Sequence, residues 1–299
     1  MKPDWTGDGK REHDALRLIK TRYHPNVVEL ISTFRRPAEL HGVQSTAYNF
    51  VFPCAPANLK QLLRGSIASD ILCNDIQDLW TQFEGLADAL AYLHDECGLA
   101  HTDLKPSNIL LYPCSSRPSI LAKITDFGLA TNLKGTSTWQ LGTIEAKSAL
   151  RYDPPELKRY VHEQSTMTGS TKDPNEVRAP QPVQFQRGDI WKLGSVFTEI
   201  LTFLLQGTKG LVRFRKCITT KSRGITSEVL YDIRLDDGLK VKSEVLTWLS
   251  RIMTLDPRAY ELVPLIKSML DEETKRPSAA TVSKALKEVS CCSSKIYKN

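Results

Sequence analysis

Strand-like runs crowd into the first 125 residues of this chain and helix-like periodicity fills most of the remainder; no other feature limits the fold so strongly. "VVELISTF" (27–34) and "TAYNFVFPCA" (46–55) are rich in β-branched and aromatic residues and predict strands. "NILLY" (108–112) and "ILAKIT" (120–125) flank a Pro/Ser turn and predict a hairpin. Between these sets, Leu79, Phe83, Leu86, Leu90 and Leu93 recur at helical spacing, which predicts a buried helix over about 74–97. A further helix is predicted over 10–22, with Leu16 and Ile19 on its apolar stripe, broken by "HPN" (24–26). Beyond 125 no strong strand pattern stands out, and helical patterns occupy 189–206, 241–253, 259–271 and 278–290. Strands early and helices late predict an α+β fold with two segregated lobes.

Composition narrows the class. The 299 residues are 41% hydrophobic and 25% charged, ordinary values for a globular protein. The net charge of +6 suits a phosphate-bearing partner, but scattered surface lysines give the same total, and no nucleic-acid partner is predicted. Seven cysteines at 54, 73, 97, 114, 217, 291 and 292 form neither a CxxC pair nor a His/Cys cluster, against a disulfide framework or a zinc site. A reduced, intracellular setting, cytoplasmic or nuclear, is the expectation. The most apolar stretch, "VFTEILTFLL" (196–205), is too short for a membrane span and carries Glu199, and the polar N-terminus is no signal peptide. Residues 162–186, dominated by Ser, Thr, Pro, Asn and Gln without periodicity, read as a flexible surface insertion. No pattern speaks to the oligomeric state.

Chemistry gathers at "HTDLKPSNILL" (101–111), where Asp103, Lys105 and Asn108 share one short loop that runs into a strand. Phosphoryl transfer needs a group that orients an attacking hydroxyl, a cation near the transferring phosphate, and oxygen ligands for Mg²⁺; a carboxylate, a lysine and a side-chain carbonyl supply all three. A solvated turn with a capping Asp contains the same residue types. The following strand ends in "DFG" (126–128), which adds Asp126, a second hard oxygen donor of the kind Mg²⁺ prefers.

At this point the chain resembles the eukaryotic protein kinases. "HTDLKPSN" resembles their catalytic-loop signature, "DFG" their metal-binding triplet, and "YDPPE" (152–156) the end of their activation segment; "GDIWKLGSVFTEIL" (188–201) and "KRPSA" (275–279) resemble two helices of the large lobe. These five motifs, in family order, cover about residues 10–290. The resemblance implies a two-lobed fold with a shortened, β-rich N-lobe and a mainly helical C-lobe, and transfer of the ATP γ-phosphoryl group to a protein substrate with a Ser or Thr acceptor, with ATP and Mg²⁺ as cofactors. It makes Asp103 the catalytic base and Lys105 the γ-phosphate cation, the serine/threonine pattern. Asn108 and Asp126 become metal ligands. Phe52 takes the gatekeeper position, Pro53 and Ala55 face adenine, and Leu110 forms its floor. Glu156 is implied to pair with Arg276, Asp189 to brace the catalytic loop, and Leu18, Leu30, His101 and Phe127 to form a hydrophobic spine. The implied division is 1–55 (N-lobe), 56–290 (C-lobe with an insertion at about 157–186) and a 291–299 tail.

Four features depart from the family pattern. "GDGKRE" (7–12) is only half of a glycine-rich phosphate loop and reads as a loop. The strand lysine is expected to be missing, since Lys2 stands only 10 residues before Glu12 with no partner strand visible for it, and either Glu12 or Asp14 could be the helix acid. Thr102 stands where many kinases have an arginine that meets an activation-loop phosphate. Thr136, Ser137, Thr138 and Thr143 are therefore expected to be acceptors without being the main switch. Glu156 and Asp189 are 33 residues apart, more than the family spacing. The alternative to an active kinase is a pseudokinase or inactive fragment acting as a protein-interaction module. "YDPPE", "GDIWKLG" and "KRPSA" argue against a small-molecule phosphotransferase.

Overall fold

In the computed structural model, residues 2–3, 8–40, 43–67, 76–115, 119–134, 151–157, 182–222, 225–234 and 238–296 are described. Two compact units divide the chain, Met1–Gly135 and Thr136–Asn299. This division by compactness falls elsewhere than the lobe boundary at 55/56 implied by resemblance.

The first unit begins with β1 (Lys2–Pro3) and α1 (Asp8–Ile19), followed by β2 (Ser32–Leu40) and β3 (Val43–Val51). These strands form an antiparallel sheet of order β1-β3-β2, in which Lys2 faces Tyr48. Lys2 therefore has the partner strand that two residues of sequence could not announce. Residues 8–12 belong to the first turns of α1, so the half-motif there is helical and not a loop.

The strand expected from residue 27 starts only at Ser32. Residues 26–28 are claimed by a different sheet: the Ile124 amide donates to the Asn26 carbonyl at 2.8 Å and the Val28 amide to the Ile124 carbonyl at 2.9 Å. The Asn26 side chain completes the attachment by donating to the Ala122 carbonyl at 2.8 Å.

After the hinge come β4 (Ala57–Asn58) and α2 (Leu59–Leu63), whose start is sealed by a reciprocal cap. Asn58 Oδ1 accepts from the Gln61 amide at 3.0 Å, and Gln61 Oε1 accepts from the Asn58 amide at 2.9 Å. The predicted central helix is α3 (Leu79–Ala91), extended by a π-helical turn over Tyr92–Glu96; Phe83, Leu86, Leu90 and Leu93 are all buried. The short strand β5 (Leu99–Ala100) leads into the polar loop, then β6 (Ile109–Pro113) and β7 (Ile120–Ile124) form the expected hairpin. On that hairpin Ile109, Leu111, Ile120, Ala122 and Ile124 are buried, while Leu110, Tyr112, Leu121 and Lys123 occupy the half-buried face. The strand β8 (Thr131–Asn132) pairs back onto β5.

The second unit is built on α4 (Pro182–Ile218), which kinks at Gly207, where φ is +63°. Glycine reaches that left-handed conformation without steric cost. Residues 182–186, expected in the insertion, already belong to this helix; residues 158–181 and the four expected activation-loop acceptors lie outside the described residues. From Gly188 to Thr202 every residue of α4 is buried. Its buried charges are paired, although the Trp191 indole N–H finds no hydrogen-bond partner among the described residues. Lys192 Nζ reaches Asp153 Oδ1 at 2.5 Å, and Glu199 receives the Tyr152 hydroxyl at 2.8 Å and Arg215 at 3.0 and 3.2 Å. Burial and the Glu199 charge push the Tyr152 phenol far above its ordinary range, so it remains a donor.

Two hairpins follow, β9 (Thr220–Ser222) with β10 (Ile225–Ser227) and β11 (Tyr231–Arg234) with β12 (Gly238–Val241). They correct the expectation of no strands beyond residue 125. Helices α5 (Ser243–Ile252), α6 (Pro257–Met269) and α7 (Ala279–Ile296) complete the unit near their predicted places. Lys242 Nζ donates to the Ile218 carbonyl at 2.6 Å, a cation on the carbonyl end of α4. Among the described residues no helix is long and apolar enough to cross a membrane.

Candidate active site

The polar loop is held from beneath by His101, which is fully buried. Its Nδ1 accepts from the Asp103 amide at 3.3 Å, which assigns the proton to Nε2 and makes that nitrogen the donor to the Thr125 carbonyl at 2.9 Å. The ring also packs on Phe127 with centroids 5.1 Å apart. One histidine thus ties the start of the catalytic loop to the start of the "DFG" triplet. The second tie is backbone: the Thr125 amide donates to the Asn108 carbonyl at 3.0 Å, which brings Asn108 beside the residue preceding Asp126.

On this frame the sequence-predicted triplet converges. Asp103, itself only 6% exposed, accepts through Oδ2 from Lys105 Nζ at 2.6 Å and from Asn108 Nδ2 at 3.0 Å. Asn108 Nδ2 also donates to the Asp103 backbone carbonyl at 3.0 Å. Because both of these bonds use the amide nitrogen, Asn108 Oδ1 is turned the other way, with only a 3.4 Å approach from Ser107 Oγ.

Two non-glycine residues flank the site with left-handed backbones, Thr102 at φ +64° and Asp126 at φ +67°. Such geometry costs on the order of 1–3 kcal/mol for ordinary residues and concentrates at functional sites. A Cβ placed on Gly128 would lie 3.5 Å from Asp126 Oδ1 and 3.6 Å from Glu12 Oε2. Glu12 is therefore the α1 acid that turns toward the triplet. Asp14 is exposed and approaches its neighbour His13 at 3.4 Å. The register of α1 decides between them.

At the hinge, Phe52–Pro56 run between β3 and β4, with Phe52 packed on Phe50 at 6.4 Å. Leu110 pairs in register with Asn58, so the expected adenine floor adjoins the hinge exit. Tyr112, two residues on along the same face, donates its hydroxyl to the Pro53 carbonyl at 2.9 Å. Burial raises its phenol above the ordinary value and keeps that donor protonated. Sequence reading overlooked Tyr112. The usable signal was the strand alternation that places it on the face of Leu110.

The donor set fits a Mg²⁺ ion. Asn108 Oδ1 and the Asp126 carboxylate are hard oxygen donors, and Mg²⁺ characteristically takes one or two such groups and completes its shell with water and phosphate oxygens. Among the described residues no group of three or more His, Cys, Asp or Glu side chains forms a dedicated metal cage.

In the second unit the predicted Glu156–Arg276 pair is present and bidentate, at 2.5 and 2.9 Å, with the Arg276 guanidinium 4.9 Å above the Trp191 ring. Asp189 is fully buried.

The family model for the protein kinase domain matches residues 6–286, and the chain belongs to that family. It is similar to a probable CTD kinase subunit alpha homolog of Encephalitozoon cuniculi, 26% identical over 68% of this chain and 49% of that protein. It is also similar to the serine/threonine-protein kinase CHK1 of Saccharomyces cerevisiae, 31% identical over 40% of this chain and 18% of that protein. The aligned part thus spans about half the length of these curated relatives, or less. Among solved structures, a chain of the yeast RNA Pol II CTD kinase complex superposes with a TM-score of 0.53 at 20% identity, covering 93% of this chain and 80% of that one. That likeness supports the kinase fold.

Proposed function

We propose that this chain transfers the γ-phosphoryl group of ATP to Ser or Thr hydroxyls of protein substrates. The observation that carries this reading is the Asp103 carboxylate, held by Lys105 and Asn108 on a loop that bonds from His101 and Asn108 tie to Thr125, the residue before the "DFG" triplet. Asp103 accepts and orients the proton of the attacking hydroxyl. Lys105 places a cation where charge gathers on the transferring group, and it is already drawn to the base at 2.6 Å. Asn108 and Asp126 would hold Mg²⁺, which supplies neutralisation of phosphate charge. Pro53 and Ala55 would present a hinge carbonyl and a hinge N–H to adenine, with Leu110 beneath the ring. Proline has no N–H of its own, but the first hinge position needs only the carbonyl.

Lys2 on β1 and Glu12 on α1 are the residues of this chain suited to the lysine–acid pair that steadies the α- and β-phosphates. The pairing of Lys2 with Tyr48 supports the first assignment, and the approach of Glu12 to Gly128 supports the second.

Thermal shift of the whole chain with ATP, with and without Mg²⁺, beside Asp126→Ala, tests the reading; a ligand that binds only the native state raises the melting temperature. The expected result is a Mg²⁺-dependent shift lost in the variant, followed by label transfer from γ-labelled ATP to dephosphorylated casein at Ser and Thr. A folded chain with no shift and no transfer overturns the catalytic reading in favour of an interaction module.

A further inference from the structure

We propose that Thr102 is a positioning residue: its hydroxyl clamps the segment that follows the "DFG" triplet onto the catalytic loop, so that this segment is ordered without a phosphate. Thr102 Oγ1 donates to the Leu129 carbonyl at 2.7 Å, shorter than the His101–Thr125 tie at 2.9 Å. The threonine is 7% exposed and holds φ at +64°, a conformation that a β-branched residue strongly avoids. Glycine would occupy that backbone without strain. A threonine there, with its hydroxyl spent on one carbonyl across the site, marks the hydroxyl as the reason for the residue.

The bond sits at the end of a short ladder, beside a turn of the segment itself. The Ala130 amide donates to the Phe127 carbonyl at 3.0 Å, Ala100 pairs with Thr131, Leu99 pairs with Asn132, and the Leu133 amide donates to the Gly98 carbonyl at 2.8 Å. β5 and β8 supply only two residue pairs. A two-residue ladder is weak by itself, and the Thr102 bond extends it by one more fixed point toward Asp126. Lateral anchoring thus comes from a neutral hydroxyl built into the loop, where an arginine would instead need an added negative charge to meet it. The catalytic consequence rests on the phosphotransfer reading; the structural consequence does not.

Native-state hydrogen exchange on the whole chain therefore tests the clamp separately from activity. Thr102→Val keeps the shape and removes the donor, Thr102→Ser keeps the donor, and Thr102→Gly removes both the donor and the strain. Exchange at the Ala130 and Leu133 amides is expected to quicken about tenfold or more in the Val and Gly variants, the loss of one buried hydrogen bond. Amides of Phe83 and Leu90 in α3 should keep their rates, and Ser should match the parent. Parent-like exchange in the Gly variant overturns the clamp, as does faster exchange in Ser. Where phosphotransfer is measurable, Val should lower kcat with little change in KM for ATP, and phosphatase treatment of the parent should leave kcat unchanged. A parent whose kcat falls on dephosphorylation also overturns it. Failure of ATP binding across all variants would speak against the phosphotransfer reading and leave the exchange result standing.

Discussion

Two carboxylate–cation pairs in this protein use the same chemistry to opposite ends. Asp103 and Lys105 are two residues apart, meet at 2.6 Å, and leave the lysine side chain 19% exposed. Glu156 and Arg276 are 120 residues apart, meet through two hydrogen bonds, and leave the guanidinium with no exposure at all. The first pair is assembled by a local loop with a strained neighbour and leaves its lysine partly open to solvent, as the proposed encounter with a phosphate requires. The second joins distant segments of one unit, and its arginine also donates to the Asp271 and Arg187 carbonyls at 2.9 and 3.1 Å. Removing a partner from the first should cost function, and removing one from the second should cost stability.

The steepest loss belongs to the first half of that contrast. Asp103→Asn should lower phosphotransfer by about 10²–10⁴-fold, the usual range for a positioned base, with a melting temperature close to the parent. Activity within tenfold of the parent would remove Asp103 from the proposed role. Glu156→Gln tests the other half: leaving Arg276 buried and uncompensated should cost about 3–5 kcal/mol in denaturant unfolding. Lys105→Met, by contrast, should cost less, because Asp103 keeps the Asn108 Nδ2 donor at 3.0 Å and only the lysine side of this pair is partly open to solvent. Similar losses in these two variants would erase the contrast.

Packing in the second unit is the next lever. A methyl on Gly194 would stand 2.9 Å from Met269 Cβ, so Gly194→Ala should destabilise by about 1–3 kcal/mol through overpacking of α4 against α6. A neutral result, read by the denaturation midpoint, would show that the two helices can slide apart. A more modest change concerns a cap. Asp256 accepts from the Arg258 amide at 2.8 Å at the start of α6, and its carboxyl is held below the ordinary 3.8, chiefly by the hydrogen bond from the Arg258 guanidinium. Asp256→Ala should cost about 1 kcal/mol. A lowered folded-state value means that the charged form stabilises above pH 3.8 and that this part is lost as pH falls through the lowered value. The gap between parent and variant should therefore narrow only in strong acid; a gap independent of pH would assign the effect to packing.

Much of the site was legible because it is local. Asp103, Lys105 and Asn108 span six positions of one loop, and the next hairpin delivers Asp126, so residue types and order were enough to bring them together. The helix α3 was equally plain, since five apolar residues at helical spacing can be buried only on one side. Other parts escaped for identifiable reasons. Val27 and Val28 look like strand residues, but their partner is Ile124, nearly a hundred residues away. The β11–β12 hairpin carried a signal that went unused, an Asp-Gly pair between alternating apolar residues at Tyr231, Ile233, Leu239 and Val241.

Residue order alone was sufficient for most of the helices, the 108–125 hairpin, the protein kinase family and the catalytic and metal-ligand candidates, because periodicity and short motifs depend on neighbours a few residues apart. Folding in three dimensions was needed to settle that Glu12 and not Asp14 turns toward Gly128, that Lys2 lies on a strand, and that Tyr112 and Thr102 each spend a hydroxyl on a distant carbonyl. Each of these depends on which way a side chain or a strand faces after packing, and facing is set by partners that lie far along the chain.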